Sequence, residues 1–168
     1  MSTVIRVLGP HEGAVLDNVA SDVFDFPVDG RWTREFFADS RHHLAVASDQ
    51  GRVVGMASGV HYVHPDKAPQ LFINEVGVAR THHGQGIGRR LLEALLAHAR
   101  TLGCTEAWVL TTRDNEAARR LYRAAGGVES DDETVMYDFR LDQTLDGSVS
   151  AAHATGDDGE VKTRTDEV

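Results

Sequence analysis

The chain contains 168 residues and has a mass of 18.3 kDa, a length typical of one domain with an ordinary hydrophobic core. Its 17 basic and 26 acidic residues give a net charge of −9, which disfavours nucleic acid and anionic membranes as partners and favours cationic ligands. The single cysteine excludes an intrachain disulfide scaffold. No apolar run has the length of a signal peptide or a membrane span, so we expect a cytoplasmic protein that acts on small molecules.

The composition changes near residue 143. Residues 143–168 consist mainly of Gly, Ala, Ser, Thr and charged residues, and they include six acidic side chains. Such a stretch cannot bury enough apolar surface to offset the entropy lost on ordering it. The sequence therefore predicts one folded domain over residues 1–142 and a flexible, acidic and polar C-terminal tail over residues 143–168.

The first half of the domain alternates between strand and helix patterns. A β-prone run comes first, and the apolar spacing i, i+3, i+4, i+7 that follows it predicts a helix. Two later strands flank the turn Asp49-Gln50-Gly51, which predicts a hairpin. In chain order, the predicted elements are strand Thr3–Leu8, helix Leu16–Val23, helix Trp32–Ala38, strand Leu44–Ser48 and strand Val53–Tyr62.

The second half continues this alternation, so the domain is predicted to be of the mixed α/β class. The strand Leu71–Ala79 carries little charge, which favours a central position in the sheet. The strongest amphipathic helix of the chain follows, and Gly103 is expected to end it. The remaining predicted elements, in order, are helix Gly88–Leu102, strand Glu106–Thr112, helix Asn115–Ala125 ended by Gly126-Gly127, and strand Thr134–Leu141.

A glycine-rich loop joins the central strand to the strongest helix. Its glycines alternate at 84, 86 and 88, and glycine allows the backbone to approach a ligand closely. The free N–H groups at the start of the helix then form a site for phosphate, with Arg89 and Arg90 nearby. The spacing is neither a dinucleotide fingerprint nor a P-loop. The alternative interpretation is a loop that serves helix–strand packing alone.

A second motif begins at Asn115, which is a natural helix N-cap. Tyr122 lies two helical turns later, on the same face of the helix. Taken alone, this tyrosine is more typical of a hydrophobic core.

Together, in this order, the two motifs resemble the GCN5-related N-acetyltransferase (GNAT) superfamily over about residues 3–142. The acetyl-coenzyme A loop of that family reads Arg/Gln-x-x-Gly-x-Gly/Ala, which His83, Gly86 and Gly88 match with histidine at the first position. The later family pattern maps onto Asn115, Ala118, Tyr122 and Gly126, with Gly127 where phenylalanine is usual. The resemblance implies a central mixed, mostly antiparallel sheet flanked by helices.

Within the superfamily, the stretch from Ala45 to Gly88 resembles the gentamicin-type aminoglycoside 3-N-acetyltransferases. Asn74-Glu75-Val76-Gly77-Val78 stands where that subfamily has Tyr-Asp-Leu-Ala-Val. This resemblance implies acetyl transfer from acetyl-coenzyme A to a primary amine, with the 3-amino group of an aminoglycoside as the expected acceptor. The alternatives are another small amine, a peptide N-terminus, or an acetyl-coenzyme A-binding module without turnover.

The resemblance also implies a set of residues for the cosubstrate acetyl-coenzyme A. The backbone N–H of Val78 is expected to polarise the thioester carbonyl. A bulge that separates the two central strands is expected, and Gly77 is consistent with one. The expected cosubstrate-binding residues are Val76, Val78, His83, Gly84, Gln85, Gly86, Ile87, Gly88, Arg89, Asn115, Ala118 and Tyr122.

Two residues are expected to carry the chemistry. Glu75 matches the acidic residue of the family and would take a proton from the amine; the alternative is that it only holds the ammonium group. Tyr122 matches the general acid and would protonate the leaving thiolate; the alternative is a packing role. A cationic acceptor needs carboxylates, and the expected acceptor-binding residues are Asp25, Asp29, Glu35, Glu75, Asp114, Asp132 and Glu133.

The nine histidines do not show the spacing of a metal site. His61 and His64 are three apart on a strand and so point to opposite faces, while His42-His43 and His82-His83 are adjacent pairs. We therefore expect no metal, and no nucleophilic role for Cys104. The family resemblance further implies a homodimer.

Overall fold

The computed structural model describes residues 3–130, 135–137, 139 and 141. Residues 3–128 belong to one compact unit that contains every helix and strand reported below. A second unit begins at Glu129, and its described residues belong to no helix or strand. The predicted strand Thr134–Leu141 is therefore absent from the described part of that segment, and the tail at 143–168 lies outside the described residues.

Five strands form one sheet in the order β1-β2-β3-β4-β5. The first four run antiparallel to their neighbours, and β5 runs parallel to β4. This sheet confirms the predicted mixed, mostly antiparallel architecture. The strands are β1 (Val4–Val7), β2 (His42–Asp49), β3 (Arg52–His64), β4 (Lys67–Val78) and β5 (Glu106–Trp108).

Three α-helices accompany the sheet: α1 (Gly30–Ala38), α2 (Ile87–Thr101) and α3 (Glu116–Ala124). Short 3-10 turns occupy Gly13–Asp17 and Arg80–His82. Gly103 follows α2 with a positive φ of 82°, as predicted for a helix end. The predicted strand Glu106–Thr112 is real but ends at Trp108.

The predicted helix Leu16–Val23 is wrong. Leu16 lies in the first 3-10 turn, and the chain then runs beside β3, where Val19 bridges Val53. The backbone N–H of Ala20 donates to the Val53 carbonyl at 2.9 Å. The apolar residues of this segment thus reach the core from an extended backbone, because β3 offers it hydrogen bonds that replace those of a helix.

The β2–β3 hairpin confirms the predicted turn. Gln50 and Gly51 have φ values of 49° and 78°. Two consecutive left-handed residues are typical of the tight turn whose twist matches that of the flanking strands.

Successive side chains along each strand point to opposite faces of the sheet. We call the face that packs against α2 the closed face; Leu91 and Leu95 of α2 are fully buried there. On the opposite face, Phe36 of α1 contacts His42 of β2 with ring centroids 5.0 Å apart. Helix α1 therefore lies over the β2 side of that face.

Three histidines form a chain on the closed face, which the sequence analysis did not foresee. His43 Nε2 lies 2.7 Å from His61 Nδ1, and His98 Nε2 lies 3.1 Å from His43 Nδ1. These residues come from β2, β3 and α2. Burial, followed by the neighbouring imidazoles of His98, His61 and His42, lowers the pKa of His43 to about 4.

Candidate active site

The central strand β4 carries an irregularity next to Glu75. Ser58 of β3 pairs with Glu75, and the next residue, Gly59, pairs with Ile73, so Asn74 is an extra residue on β4. Such a bulge bends the strand and re-aims its side chains.

The bulge therefore lies at Asn74, and the expectation that Gly77 marks it is wrong. Gly77 pairs regularly with Met56. Its lack of a side chain has another reason, because a Cβ atom there would lie 2.2 Å from the carbonyl oxygen of Val23. Gly77 thus allows the segment before α1 to cross directly over β4.

Strands β4 and β5 diverge beyond a short paired region. Residues Gln70–Phe72 pair with Glu106–Trp108, and β4 then continues to Val78. Within the described residues, no strand pairs with this far part of β4 on the β5 side. The Ala79 N–H donates to the Val54 carbonyl of β3 at 2.9 Å. Because N–H directions alternate along a strand, the N–H groups of Val76 and Val78 point away from β3, into the gap.

The glycine loop opens onto the N-terminus of α2. Gly84 and Gly86 have φ values of 74° and 70°, and a Cβ atom at either position would meet nothing within 4 Å. Gly86 is the N-cap and offers no side-chain hydrogen bond to the helix. The N–H groups of the first turn, starting with Ile87, are therefore available to an anion. A pyrophosphate would need such free N–H groups.

His83 is directed back toward β4. Its Nε2 lies 2.8 Å from the carbonyl oxygen of Val78, and because a carbonyl only accepts, the imidazole proton must be on Nε2. The side chain thus anchors the glycine loop to the strand whose N–H groups face the gap.

The two arginines of the first helical turn have protein partners. Arg89 Nε donates to Glu93 at 2.7 Å, and Arg90 Nη2 donates to the carbonyl of Thr3 at 3.0 Å. Gln85 is exposed in the loop. Positive charge is therefore present near the loop, but the contacts of both guanidinium groups point to structural roles as well.

Helix α3 is positioned by its cap and by contact with the loop. Asn115 Oδ1 accepts the N–H of Ala118 at 3.0 Å, which confirms the predicted N-cap. A Cβ atom on Gly88 would lie 3.4 Å from Leu121 and 3.7 Å from Val78. Helix α2, helix α3 and β4 thus meet at Gly88, where a Cβ atom would make ordinary van der Waals contacts.

Tyr122 follows Leu121 on α3 and is half-buried against the core. Burial raises the pKa of its hydroxyl above the usual value of 10, because the charged phenolate is disfavoured away from water. Tyr122 is therefore neutral at pH 7 and retains a proton to donate.

Glu75 lies on the sheet face opposite α2. Val78 contacts the position of Gly88 on α2, whereas Gly77 contacts Val23 on the other side. Glu75 and Gly77 are two residues apart on β4 and therefore face the same side of the sheet. The half-buried side chain of Glu75 is thus on the Val23 side.

The expected acceptor-binding carboxylates fall into different settings. Asp25 is exposed and lines a cavity of about 940 Å³ between the first 3-10 turn and α1. Asp29 caps α1, accepting the N–H groups of Arg31 and Trp32 at 2.7 and 3.2 Å. Glu35 is exposed on α1. The Thr112 hydroxyl lowers the pKa of Asp114. Asp132 and Glu133 lie outside the described residues.

A further group of side chains escaped the sequence analysis. Tyr62, Gln70, Glu106 and Trp108 are joined by hydrogen bonds across β3, β4 and β5. The alternation of residues along the strands is the signal that could have found them, once the strand order was known.

Comparison with known proteins identifies the family. Residues 15–126 match the Acetyltransferase (GNAT) family. Streptothricin acetyltransferase from Streptomyces lavendulae is 35% identical over 133 residues, which cover 74% of this chain and 68% of that protein. The chain therefore belongs to the GNAT family of acetyltransferases.

A second relative and two solved structures agree with this assignment. L-2,4-diaminobutyric acid acetyltransferase from Wolinella succinogenes is 33% identical over 95 residues, which cover 55% of this chain and 51% of that protein. An aminoglycoside acetyltransferase from an uncultured soil metagenomic sample, in complex with trehalose, has a TM-score of 0.72 at 19% identity over 83% of this chain and 96% of that one. AAC(6')-Iy with a bisubstrate analog has a TM-score of 0.68 at 18% identity over 83% and 99%. At these identities the two structures establish the fold.

Two further findings concern the described residues alone. No helix among them is long and apolar enough to cross a membrane. Within the same residues, no group of three or more His, Cys, Asp or Glu side chains is arranged to hold a metal ion.

Proposed function

We propose that this chain transfers the acetyl group of acetyl-coenzyme A to a primary amine of a polycationic small molecule, such as an aminoglycoside or a streptothricin-like antibiotic. One observation carries the proposal. The edge of β4 that presents the Val76 and Val78 N–H groups to the gap belongs to the same stretch of strand as Glu75. A thioester at that edge and an amine near Glu75 would approach each other across one strand.

In this proposal the glycine loop and the gap between β4 and β5 bind different parts of acetyl-coenzyme A. The backbone of Gly84–Gly88 and the first turn of α2 would hold the pyrophosphate. The Val76 N–H would donate to a pantetheine amide carbonyl as a neighbouring strand does. The Val78 N–H would lie beside the thioester carbonyl, where negative charge develops during attack.

The proton transfers are assigned to the two family residues. A free alkylammonium has a pKa of about 10, so the amine must lose a proton before it attacks. Glu75 would accept that proton, directly or through a water. As the new C–N bond forms and the C–S bond breaks, Tyr122 would donate its hydroxyl proton to the thiolate. The second proton that the nitrogen loses on becoming an amide would then return to the Tyr122 oxygen. The products are an amide and coenzyme A.

The position acetylated and the assembly state stay predictions. The 3-amino group of an aminoglycoside remains our expectation from the sequence, and a cytoplasmic homodimer accompanies it. A short diamine is the second candidate acceptor, favoured by the similarity to L-2,4-diaminobutyric acid acetyltransferase.

The test is thiol release from acetyl-coenzyme A with a panel of aminoglycosides, streptothricin, short diamines and peptides. We expect turnover with the polycations and a loss of about 10²–10⁴-fold in kcat for Glu75→Gln and Tyr122→Phe. NMR of the product would assign the acetylated nitrogen. Calorimetry with acetyl-coenzyme A would separate binding from chemistry. Tight binding without turnover on any amine would overturn the proposal in favour of a binding module.

A further inference from the structure

Three aromatic side chains, one exposed and two half-buried, lie together on the Glu75 side of the sheet. Tyr62 on β3, Phe72 on β4 and Trp108 on β5 share this face by strand alternation. The Phe72 and Trp108 ring centroids are 4.5 Å apart, and those of Tyr62 and Trp108 are 6.4 Å apart. Trp108 is 41% exposed. We call these three residues the aromatic platform.

A chain of hydrogen bonds holds the platform in place. Trp108 Nε1 donates to the Tyr62 hydroxyl at 2.8 Å, and that hydroxyl donates to Gln70 Oε1 at 2.5 Å. The Gln70 amide nitrogen in turn donates to the Glu106 carboxylate. Two rings and one carboxylate are therefore fixed relative to each other before any ligand arrives, which reduces the entropy cost of binding.

The donors and acceptors of this chain determine which ligand the platform attracts. The indole and phenol hydrogens are both donated to neighbouring side chains, so neither is left to bind an anion. The last member of this series of hydrogen bonds is the Glu106 carboxylate, which is exposed. Ring faces and a carboxylate attract cations and repel anions. The net charge of −9 acts in the same direction.

The strand register gives the distance between the platform and Glu75. Phe72 pairs with Val60 of β3 and Glu75 pairs with Ser58, because Asn74 is the extra residue between them. Phe72 and Glu75 are therefore two strand positions apart on one face of β4, which is about 7 Å at about 3.3 Å per residue. Tyr62 lies four positions from Ser58 on β3, about 13 Å away, so the centre of the platform is about 10 Å from the carboxylate assigned to the reacting amine.

We propose that the aromatic platform and Glu106 bind a second ammonium group of the acceptor, while the amine to be acetylated lies near Glu75. This inference rests on the proposed function and narrows its substrate class to amines with a second cationic group about 10 Å from the first. A short diamine cannot reach both places. A protein segment or a second copy of the chain would have to cover the Glu106 carboxylate, and burying a charge without an opposite charge beside it is costly.

The first experiment compares kcat/KM for 1,8-diaminooctane, whose nitrogens match the ~10 Å span, with that for 1,3-diaminopropane. We expect the wild type to prefer the longer diamine, and Trp108→Ala and Glu106→Gln to reduce that preference about 5- to 30-fold. Trp108→Phe, which keeps an aromatic ring, should retain part of it. Trp32→Ala is the matched control, because Trp32 is 57% exposed on α1 and its ring contacts Arg31. A preference that Trp108→Ala and Glu106→Gln leave unchanged would overturn the inference.

A binding measurement keeps the inference testable if catalysis fails. The chain has two tryptophans, so Trp32→Phe leaves Trp108 as the single indole. Its fluorescence should change on titration with 1,8-diaminooctane without acetyl-coenzyme A, and Glu106→Gln should weaken the apparent affinity. Saturable binding without turnover would support the platform and contradict the proposed function, whereas turnover without a Trp108 response would do the reverse. Sedimentation that shows Trp108→Ala converting a dimer to a monomer would assign the patch to self-association and overturn the inference.

Discussion

The two faces of the sheet are built from the same strands but differ in nearly every physical property. On the closed face, Leu71 and Ile73 of β4 pack beneath α2 and are buried. On the opposite face, the neighbouring residues of that strand are half-buried or exposed, and they include Phe72 and Glu75. Because successive side chains alternate, a single strand contributes to stability through one set of residues and to ligand binding through the other. Substitutions one residue apart should therefore have different consequences.

The largest expected contrast compares a truncation on each face. Leu95→Ala removes a fully buried side chain from α2 and should lower the free energy of unfolding by about 2–5 kcal/mol. Phe72→Ala removes a half-buried ring on the opposite face and should cost about 1–2 kcal/mol, because less area is withdrawn from water. Urea denaturation would measure both. Equal losses of stability would mean that Phe72 on the opposite face is packed as tightly as Leu95 on the closed face.

The histidine chain gives the closed face a specific sensitivity to acid. Three neutral imidazoles carry three ring protons, and each of the two N···N contacts accommodates one proton. A fourth proton fits on a ring nitrogen outside the two contacts. A fifth would place two hydrogens in one contact and break it. The three histidines together therefore take up one additional proton with both N···N contacts intact.

We expect stability to fall as the pH is lowered from about 6.5 to about 4. The pKa of His43 is about 4 in the folded chain and about 6.5 when unfolded. Between these values the unfolded state binds more protons, so acid favours unfolding, by up to about 3 kcal/mol once the pH is below both. Burial also lowers the pKa of His98, which adds to the same trend.

Urea denaturation at several pH values, with and without His43→Leu, would test this dependence. The variant should flatten the part of the curve between pH 6.5 and 4. His64→Leu is the control, because His64 is exposed and pairs with Asp66 away from the chain. An identical pH dependence in the wild type and His43→Leu would contradict the assignment.

The third contrast compares the space above two glycines, Gly77 beneath the segment that contains Val23 and Gly88 on α2. Gly77→Ala places a Cβ atom 2.2 Å from the Val23 carbonyl oxygen, and the backbone must move. We expect a loss of about 1–3 kcal/mol. Gly88→Ala is the matched control for stability, because its Cβ atom would make an ordinary contact 3.4 Å from Leu121. Thermal unfolding should leave Gly88→Ala near the wild type or slightly above it, and a neutral Gly77→Ala would show that the covering segment adjusts freely.

The sequence predicted what local patterns determine. The hairpin at Gln50-Gly51, the amphipathic helix α2 and the Asn115 cap all follow from residues close together in the chain, and all are confirmed. The helix Leu16–Val23 failed because hydrogen bonds to β3, more than 30 residues later, outweigh a local apolar spacing.

The same reasoning explains which parts of the site could be foreseen. The glycine loop and Tyr122 belong to contiguous motifs. The histidine chain and the aromatic platform instead join residues from three separate elements each, so no spacing along the chain reveals them. The bulge at Asn74 depends on the register of two strands, which sequence patterns do not specify.

The smallest expected effect separates two roles for Asp29. Its carboxylate caps α1 through the N–H groups of Arg31 and Trp32, yet it was also expected to bind a cationic acceptor. Asp29→Ala should lower the free energy of unfolding by about 1 kcal/mol, whereas Asp29→Asn retains a capping oxygen and should stay close to the wild type. Asn also removes the charge, so a rise in KM for a polycationic amine in Asp29→Asn would assign an acceptor contact to Asp29. An unchanged KM in that variant, beside a destabilised Asp29→Ala, would restrict Asp29 to its role in holding α1 over the second face.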